Sequence, residues 1–163
     1  MLKAGVLGAG HLGKIHLKLL QQSTKYTLVG FFDANQDAAK AIEQEYGYKS
    51  FPTMEALIAA CDMVDVVTPT IYHHQCAEKV ITAGKHLFIE KPITQTVLEA
   101  DSIRDLAKKH SVRGQVGQVE RFNPAFMAVN HMIDKPMFIE AHRLAEFNPR
   151  GTDVSVVLDL MIH

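Results

Sequence analysis

Cysteine is scarce: Cys61 and Cys76 are the whole supply. Two are too few for a disulfide framework, and both stand in apolar, helix-like surroundings where a buried reduced thiol is expected. No apolar run approaches the roughly 18 residues of a membrane-spanning helix. One Lys and a short apolar run open the chain, but the run breaks at Gly8 and Gly10 and lacks the core of a signal peptide. The expected location is therefore the cytoplasm. An excess of either charge is missing too, with 17 Lys and Arg against 18 Asp and Glu and the basic residues scattered. That excludes the electrostatic footprint of a nucleic-acid binder and leaves small molecules or other subunits as partners. Flexible linkers and internal repeats are also missing. What is present is 163 residues, 47% hydrophobic, enough to bury the core of one domain, or of one domain and part of another.

The chain is organised around its first turn. A short apolar run, residues 4–7, enters glycines at positions 8, 10 and 13, and a helical pattern leaves them through Leu12, Ile15, Leu19 and Leu20. Strand, glycine turn and helix form a phosphate cradle when Gly8 allows the turn, Gly10 lets backbone approach a pyrophosphate, and Gly13 lets the helix pack on its strand. Three spaced glycines alone are weak evidence, since such turns occur without any nucleotide. The β-rich run 27–32 then stops at Asp33, 20 residues past Gly13, where a dinucleotide fold places an acid on the adenosine ribose. Asp33 could equally cap the helix that follows it. Combined with the glycine turn at the right distance, the nucleotide reading prevails. Asp33 repels a 2′-phosphate, and Ala34 and Asn35 supply no Arg to attract one, so NAD is expected over NADP.

Helices are expected over Gln36–Tyr46, closed by a left-handed Gly47, and over Met54–Ala60, with a short strand at Ser50 and Phe51 between them. The buried-type strand 63–68 ends at Thr68 and Pro69, which places both beside a cofactor at the carboxyl ends of the strands. Helix 72–83 carries His73, His74 and Cys76. Adjacent helical positions diverge by about 100°, and no second Cys/His cluster stands at ligand spacing, so no metal site is expected. Strand His86–Ile89 runs into Glu90, Lys91 and Pro92. Pro92 stiffens that turn and biases Lys91 toward extended backbone, which fixes a cation at the crevice mouth, where it can stabilise a developing alkoxide. Without further context, a solvated Lys91 paired with Glu90 explains the same residues.

Taken together, Gly8-Ala9-Gly10-His11-Leu12-Gly13, Asp33, the run from Thr68-Pro69 to His73, and the run Ala83-Gly84-Lys85-His86 leading to Glu90-Lys91-Pro92 resemble the glucose-fructose oxidoreductase and inositol dehydrogenase family, Gfo/Idh/MocA. The likeness extends through the whole chain. It implies an α/β fold with a Rossmann-type doubly wound parallel sheet over residues 1–121, followed over 122–163 by the start of an α+β second domain for substrate and oligomer contacts. It implies NAD contacts from Gly8, Ala9, Gly10, His11, Leu12 and Gly13, from Asp33, from Thr68, Pro69 and His73, from Glu90 and Lys91, and from Arg121 and Asn123. A methyltransferase built on the same turn and acid is disfavoured by Gly13 and by Glu90-Lys91-Pro92.

After Pro92, a capping box at Thr96 and Glu99 opens a helix with Val97, Ala100, Ile103, Leu106 and Ala107 on one face. A strand over 112–119, a helix over 124–133, a strand over 137–144 and a helix over 154–163 follow. Asp159 and His163 lie four apart and share a helix face. They could serve each other as a structural hydrogen-bond pair. The resemblance instead casts His163 as the base that takes a hydroxyl proton, Asp159 as its partner and Lys91 as the third catalytic residue. Segments 117–124 and 150–163 are similar to a branch that oxidises sugar nucleotides, such as UDP-N-acetylglucosamine 3-dehydrogenases. The implied activity is hydride transfer between a secondary alcohol of a sugar or sugar nucleotide and NAD, with a homo-oligomer where the second domain is complete. A lone strand at 137–144 has no sheet to join, so the expectation is a piece of a longer protein or a short chain that pairs with its own copy. The competing reading is a catalytically silent NAD-binding module.

Overall fold

The computed structural model describes residues 1–142 and 155–162, with the backbone alone for Asp159. Five parallel strands form one sheet: β1 (Leu2–Leu7), β2 (Tyr26–Phe32), β3 (Met63–Val66), β4 (His86–Ile89) and β5 (Gly114–Val116). They lie in the order β2-β1-β3-β4-β5. Ser50 adds a parallel bridge to Phe31 on the outer side of β2. The chain therefore steps outward from β1 to β2 and Ser50, then returns across β1 to build β3, β4 and β5. That reversal between β1 and β3 is the switch point at which a doubly wound sheet opens a crevice.

Side-chain alternation assigns the two layers. Val6 and Phe31 share a core with Leu17 of α1 (His11–Gln22) and with Ala39 and Ile42 of α2 (Gln36–Tyr46). The opposite face buries Leu7, Val64, Val66, Leu87 and Ile89. It packs them against α3 (Met54–Ala60), α4 (His73–Thr82) and Ile103 of α5 (Val97–Lys109). Both cysteines are buried free thiols in this second core. Burial pushes the Cys61 thiol up to about 11 and raises that of Cys76 as well, so neither forms a thiolate readily.

Gly47 closes α2 in the left-handed region at φ 73°, and α3 and β4 match their expected bounds. One helix turns differently from expectation. On α1, Leu12, Ile15 and Leu19 are exposed, and the buried stripe runs through Gly13 and Leu17 with Leu20 partly covered. Contact of Gly13 with Gly8 sets the rotation of that helix. α5 keeps its expected face, with Ile103 buried and Leu106 and Ala107 packed against the same core, while Val97 in its first turn is 77% exposed. Its capping box is complete: Glu99 N donates to Thr96 Oγ1 at 3.3 Å, and Glu99 Oε2 accepts from Thr96 N at 3.0 Å. Thr96→Ala is expected to cost about 1 kcal/mol, read as a lower urea midpoint with an unchanged slope.

After β5 the chain makes a 3-10 turn (Val119–Phe122), a short helix α6 (Pro124–Val129) and a second 3-10 turn (Asn130–Met132). Every residue from 121 to 142 is exposed. The strand expected over 137–144 does not form in its described part, 137–142. A strand is held by a partner's ladder, and no pairing to this segment occurs among the described residues. Val157–Met161 winds as a helical turn.

Candidate functional site

The carboxyl ends of β1, β3 and β4 enclose a crevice of about 500 Å³. Its floor is the first turn. Gly8 sits at φ 90° and its N–H donates to Phe32 O at 2.9 Å. A Cβ at Gly8 would lie 2.8 Å from Val67 O and 3.0 Å from Thr68 N. One at Gly13 would run into the carbonyl oxygen of Gly8. Two of the three glycines are therefore demanded by the protein's own packing.

Gly10 differs. Its backbone is extended at φ −63° and ψ −161°, and a Cβ there would meet nothing within 4 Å. It stands at the N-cap of α1 with no side chain to satisfy the first N–H groups of the helix, and it lines the crevice. Among the described residues, nothing occupies the space a side chain would take here. Bare backbone N–H groups at a helix N-terminus are the arrangement that receives a pyrophosphate in nucleotide-binding folds.

Asp33 borders the same crevice from the tip of β2. Its Oδ2 accepts from Ala9 N at 2.8 Å and its Oδ1 from Asn35 N at 2.9 Å, so the carboxylate ties the glycine turn to the second strand. It is not the cap of α2. Asn35 fills that position, with its side chain accepting from Ala38 N at 3.0 Å.

Across the crevice, Thr68 and Pro69 follow β3, and Glu90, Lys91 and Pro92 follow β4. His73, at the start of α4, spans the two loops. It is 1% exposed, with Nδ1 2.9 Å from Pro92 O and Nε2 2.8 Å from Thr68 O. Both ring nitrogens are thus engaged by backbone, while His74 Nε2 faces Ser102 Oγ at 3.4 Å and Cys76 is buried. These three residues each have a role of their own in packing. Glu90 N donates to Val66 O at 3.0 Å, and Glu90 Oε2 accepts from Lys91 N at 3.2 Å. Lys91 is half-buried and its peptide to Pro92 is cis.

The structure thus gathers Gly8, Gly10, His11, Leu12, Asp33, Thr68, Pro69, His73, Glu90 and Lys91 around one space. Ala9 and Gly13 are buried beneath it. Arg121 and Asn123 do not border this crevice. Both are exposed, and Asn123 caps α6 by accepting from Ala125 N at 3.0 Å while donating to Glu120 Oε2 at 2.8 Å. The Asp159 side chain and His163 lie outside the described residues.

Sequence reasoning missed a charged group behind Glu90. Val64 and Val66 point into the second core, so Asp65 between them turns to the opposite face beneath α1. Its carboxylate is 4% exposed, and Oδ2 lies 2.8 Å from His16 Nδ1. His16 Nε2 stands 3.5 Å from Glu90 Oε1. Burial works against the charged imidazole, but the hydrogen bond to Asp65 and the field of both carboxylates outweigh it and hold His16 above its ordinary value. The available signal was an acid inside the otherwise apolar strand 63–68.

Comparison with known proteins adds the following. Residues 2–118 match the family model GFO_IDH_MocA, described as an oxidoreductase family with an NAD-binding Rossmann fold. A UDP-N-acetylglucosamine 3-dehydrogenase of Acidithiobacillus ferrooxidans is 37% identical over 163 residues, covering 99% of this chain and 51% of that protein. An inositol 2-dehydrogenase of Rhizobium meliloti is 41% identical over 135 residues, covering 80% of this chain and 40% of its own length. The solved structure of the Acidithiobacillus enzyme superposes with a TM-score of 0.89 over 99% of this chain and 51% of that one. The chain spans about half the length of the curated relatives it matches.

Proposed function

The chain belongs to the Gfo/Idh/MocA oxidoreductase family, and from that premise we propose that its crevice binds NAD for hydride exchange with a secondary alcohol of a sugar or sugar nucleotide. The observation that carries this reading is Gly10, a glycine with open space where a side chain would stand, at a helix start without a side-chain cap that lines the crevice with Asp33 and Lys91. The residues present fit the cofactor. Backbone N–H groups at the start of α1 receive the pyrophosphate, Asp33 receives the ribose hydroxyls, and Thr68, Pro69 and His73 form the opposite wall. Bound NAD supplies the hydride acceptor. Lys91 holds the substrate oxygen and offsets the charge it gains as its proton leaves. The resemblance assigns that proton to His163, with Asp159 orienting the ring. Arg121 and Asn123 stay assigned to the cofactor side by the resemblance alone.

We place the boundary of the nucleotide domain at residue 121, where burial ends, and the site of action in the cytoplasm, in keeping with two buried free thiols. No helix among the described residues is long and apolar enough to cross a membrane. Oligomer contacts are assigned to the domain that residue 122 begins. The sugar-nucleotide branch is favoured by the 37% identity that runs over 99% of the chain. The direct test is absorbance of the reduced nicotinamide with UDP-N-acetylglucosamine as substrate. Growth of that band supports the proposal, and NAD binding with no reduction favours a silent module.

Cofactor choice gives a separate prediction. Asp33→Ser removes the charge that repels a 2′-phosphate, and a like-charge contact costs up to several kcal/mol. The preference for NAD over NADP is expected to fall by about tenfold or more, measured as a ratio of dissociation constants. Part of the loss falls on NAD itself, because Ala9 N also gives up its acceptor.

A further inference from the structure

We propose that His16 is a positioning residue: as an imidazolium it latches Glu90, and with it the turn that carries Lys91, to the helix that forms the phosphate cradle. This rests on the reading of the crevice as an NAD site. The latch runs through three elements. Asp65 approaches the ring from β3 at 2.8 Å, Glu90 approaches from the end of β4 at 3.5 Å, and His16 itself belongs to α1, one turn after Gly13. Glu90 Oε2 in turn accepts from the backbone N–H of Lys91.

Proton placement selects the charged ring. A neutral imidazole with its proton on Nδ1 satisfies Asp65 but points the Nε2 lone pair at Glu90, and the other tautomer turns its lone pair on Asp65. Only the imidazolium donates to Asp65 through Nδ1 and also turns a positively charged edge toward Glu90, whose Oε1 at 3.5 Å is an ion-pair contact and not a hydrogen bond. Gly117 also lies against Glu90, because a Cβ there would collide with its Oε1 and lie 2.8 Å from its Cδ. Phe88 of β4 stands against the His16 ring at 6.1 Å between centroids, and Tyr26 of β2 lines the same neighbouring cavity of about 380 Å³. That cavity gives the ring, 15% exposed, a route to exchange its proton with solvent.

A group whose folded value lies above the ordinary 6.5 contributes stability that is complete below 6.5 and is lost as pH rises through the folded value. Deprotonation therefore releases Glu90 on the alkaline side. The crevice wall loosens with it, and NAD affinity falls.

The experiment follows the His16 ring by NMR, and NAD affinity by calorimetry, across neutral and alkaline pH in the 163-residue chain. His16 is expected to titrate above the ordinary imidazole value, and NAD affinity to drop about tenfold as it does so. Because linkage is reciprocal, saturating NAD must raise the His16 midpoint by the same factor. H16Q is expected to bind NAD at the weak alkaline limit at every pH, with an unchanged circular dichroism spectrum. D65N is expected to move the ring midpoint and the affinity midpoint down together. The proposal is overturned if His16 titrates at or below the ordinary value, if NAD leaves its midpoint unmoved, or if H16Q keeps the wild-type affinity profile. Should H16Q fail to fold, the wild-type reciprocity and D65N still decide. A folded wild-type chain that binds no NAD at any pH overturns the parent reading instead, and this proposal with it.

Discussion

In a full-length version of the protein, Lys91→Met is expected to lower turnover by about a thousandfold while the dissociation constant for NAD stays within about twofold of wild type. The separation follows from where Lys91 sits. Its backbone N–H, which methionine retains, is what Glu90 accepts, so the turn keeps its shape. Methionine also keeps the length and much of the volume of the lysine stem, so the crevice wall is not opened. Only the ammonium is lost, and its charge matters when an oxygen gains negative character in the transition state. The cradle proposed for the cofactor is built on other residues that line the crevice, Gly8, Gly10 and Asp33. The check is a kcat measurement beside a calorimetric titration. Equal losses in both would remove Lys91 from the chemistry and leave it as a wall residue.

The second large effect separates two glycines only three residues apart. Gly13→Ala forces a Cβ into the carbonyl oxygen of Gly8. Backbone has to move, and the expected cost is about 3 kcal/mol, seen as a lower melting temperature and urea midpoint. Gly10→Ala meets nothing within 4 Å and needs no positive φ, so its stability is expected to stay within about 1 kcal/mol of wild type. Its NAD affinity is expected to fall by about a hundredfold, close to 2.8 kcal/mol, because the methyl group takes the space the phosphate needs. A Gly10→Ala chain that is folded and binds NAD normally would detach the turn from the cofactor.

Much of the architecture is legible in the residues for a physical reason. Strands of a parallel sheet buried on both faces read as apolar runs, and their carboxyl ends fall on one side whatever the details of the helices. That is why Thr68, Pro69, Glu90 and Lys91 are placed together by pattern alone. The Thr96 capping box is equally readable, since both of its partners lie within four residues.

Contacts between distant segments are not readable in this way. The rotation of α1 is decided by Gly13 against Gly8, and three apolar residues on the other stripes, Leu12, Ile15 and Leu19, mimic a buried face. The bond from Ala9 to Asp33 spans 24 positions, and that from His16 to Asp65 spans 49. No local pattern encodes either. Arg121 and Asn123 follow the motif of the family, and their exposed side chains do not border the crevice among the described residues. Strand propensity over 137–142 is not realised, because β-structure depends on a neighbour that local sequence cannot supply.

The most direct test of the central claim is a calorimetric titration of the 163-residue chain with NAD, run beside S-adenosylmethionine and repeated on Gly10→Ala. One saturable NAD site is expected, with no heat from S-adenosylmethionine and loss of the NAD signal in a Gly10→Ala chain that melts near the wild-type temperature. A folded wild-type chain that gives no NAD signal, or one that binds S-adenosylmethionine in its place, would contradict it.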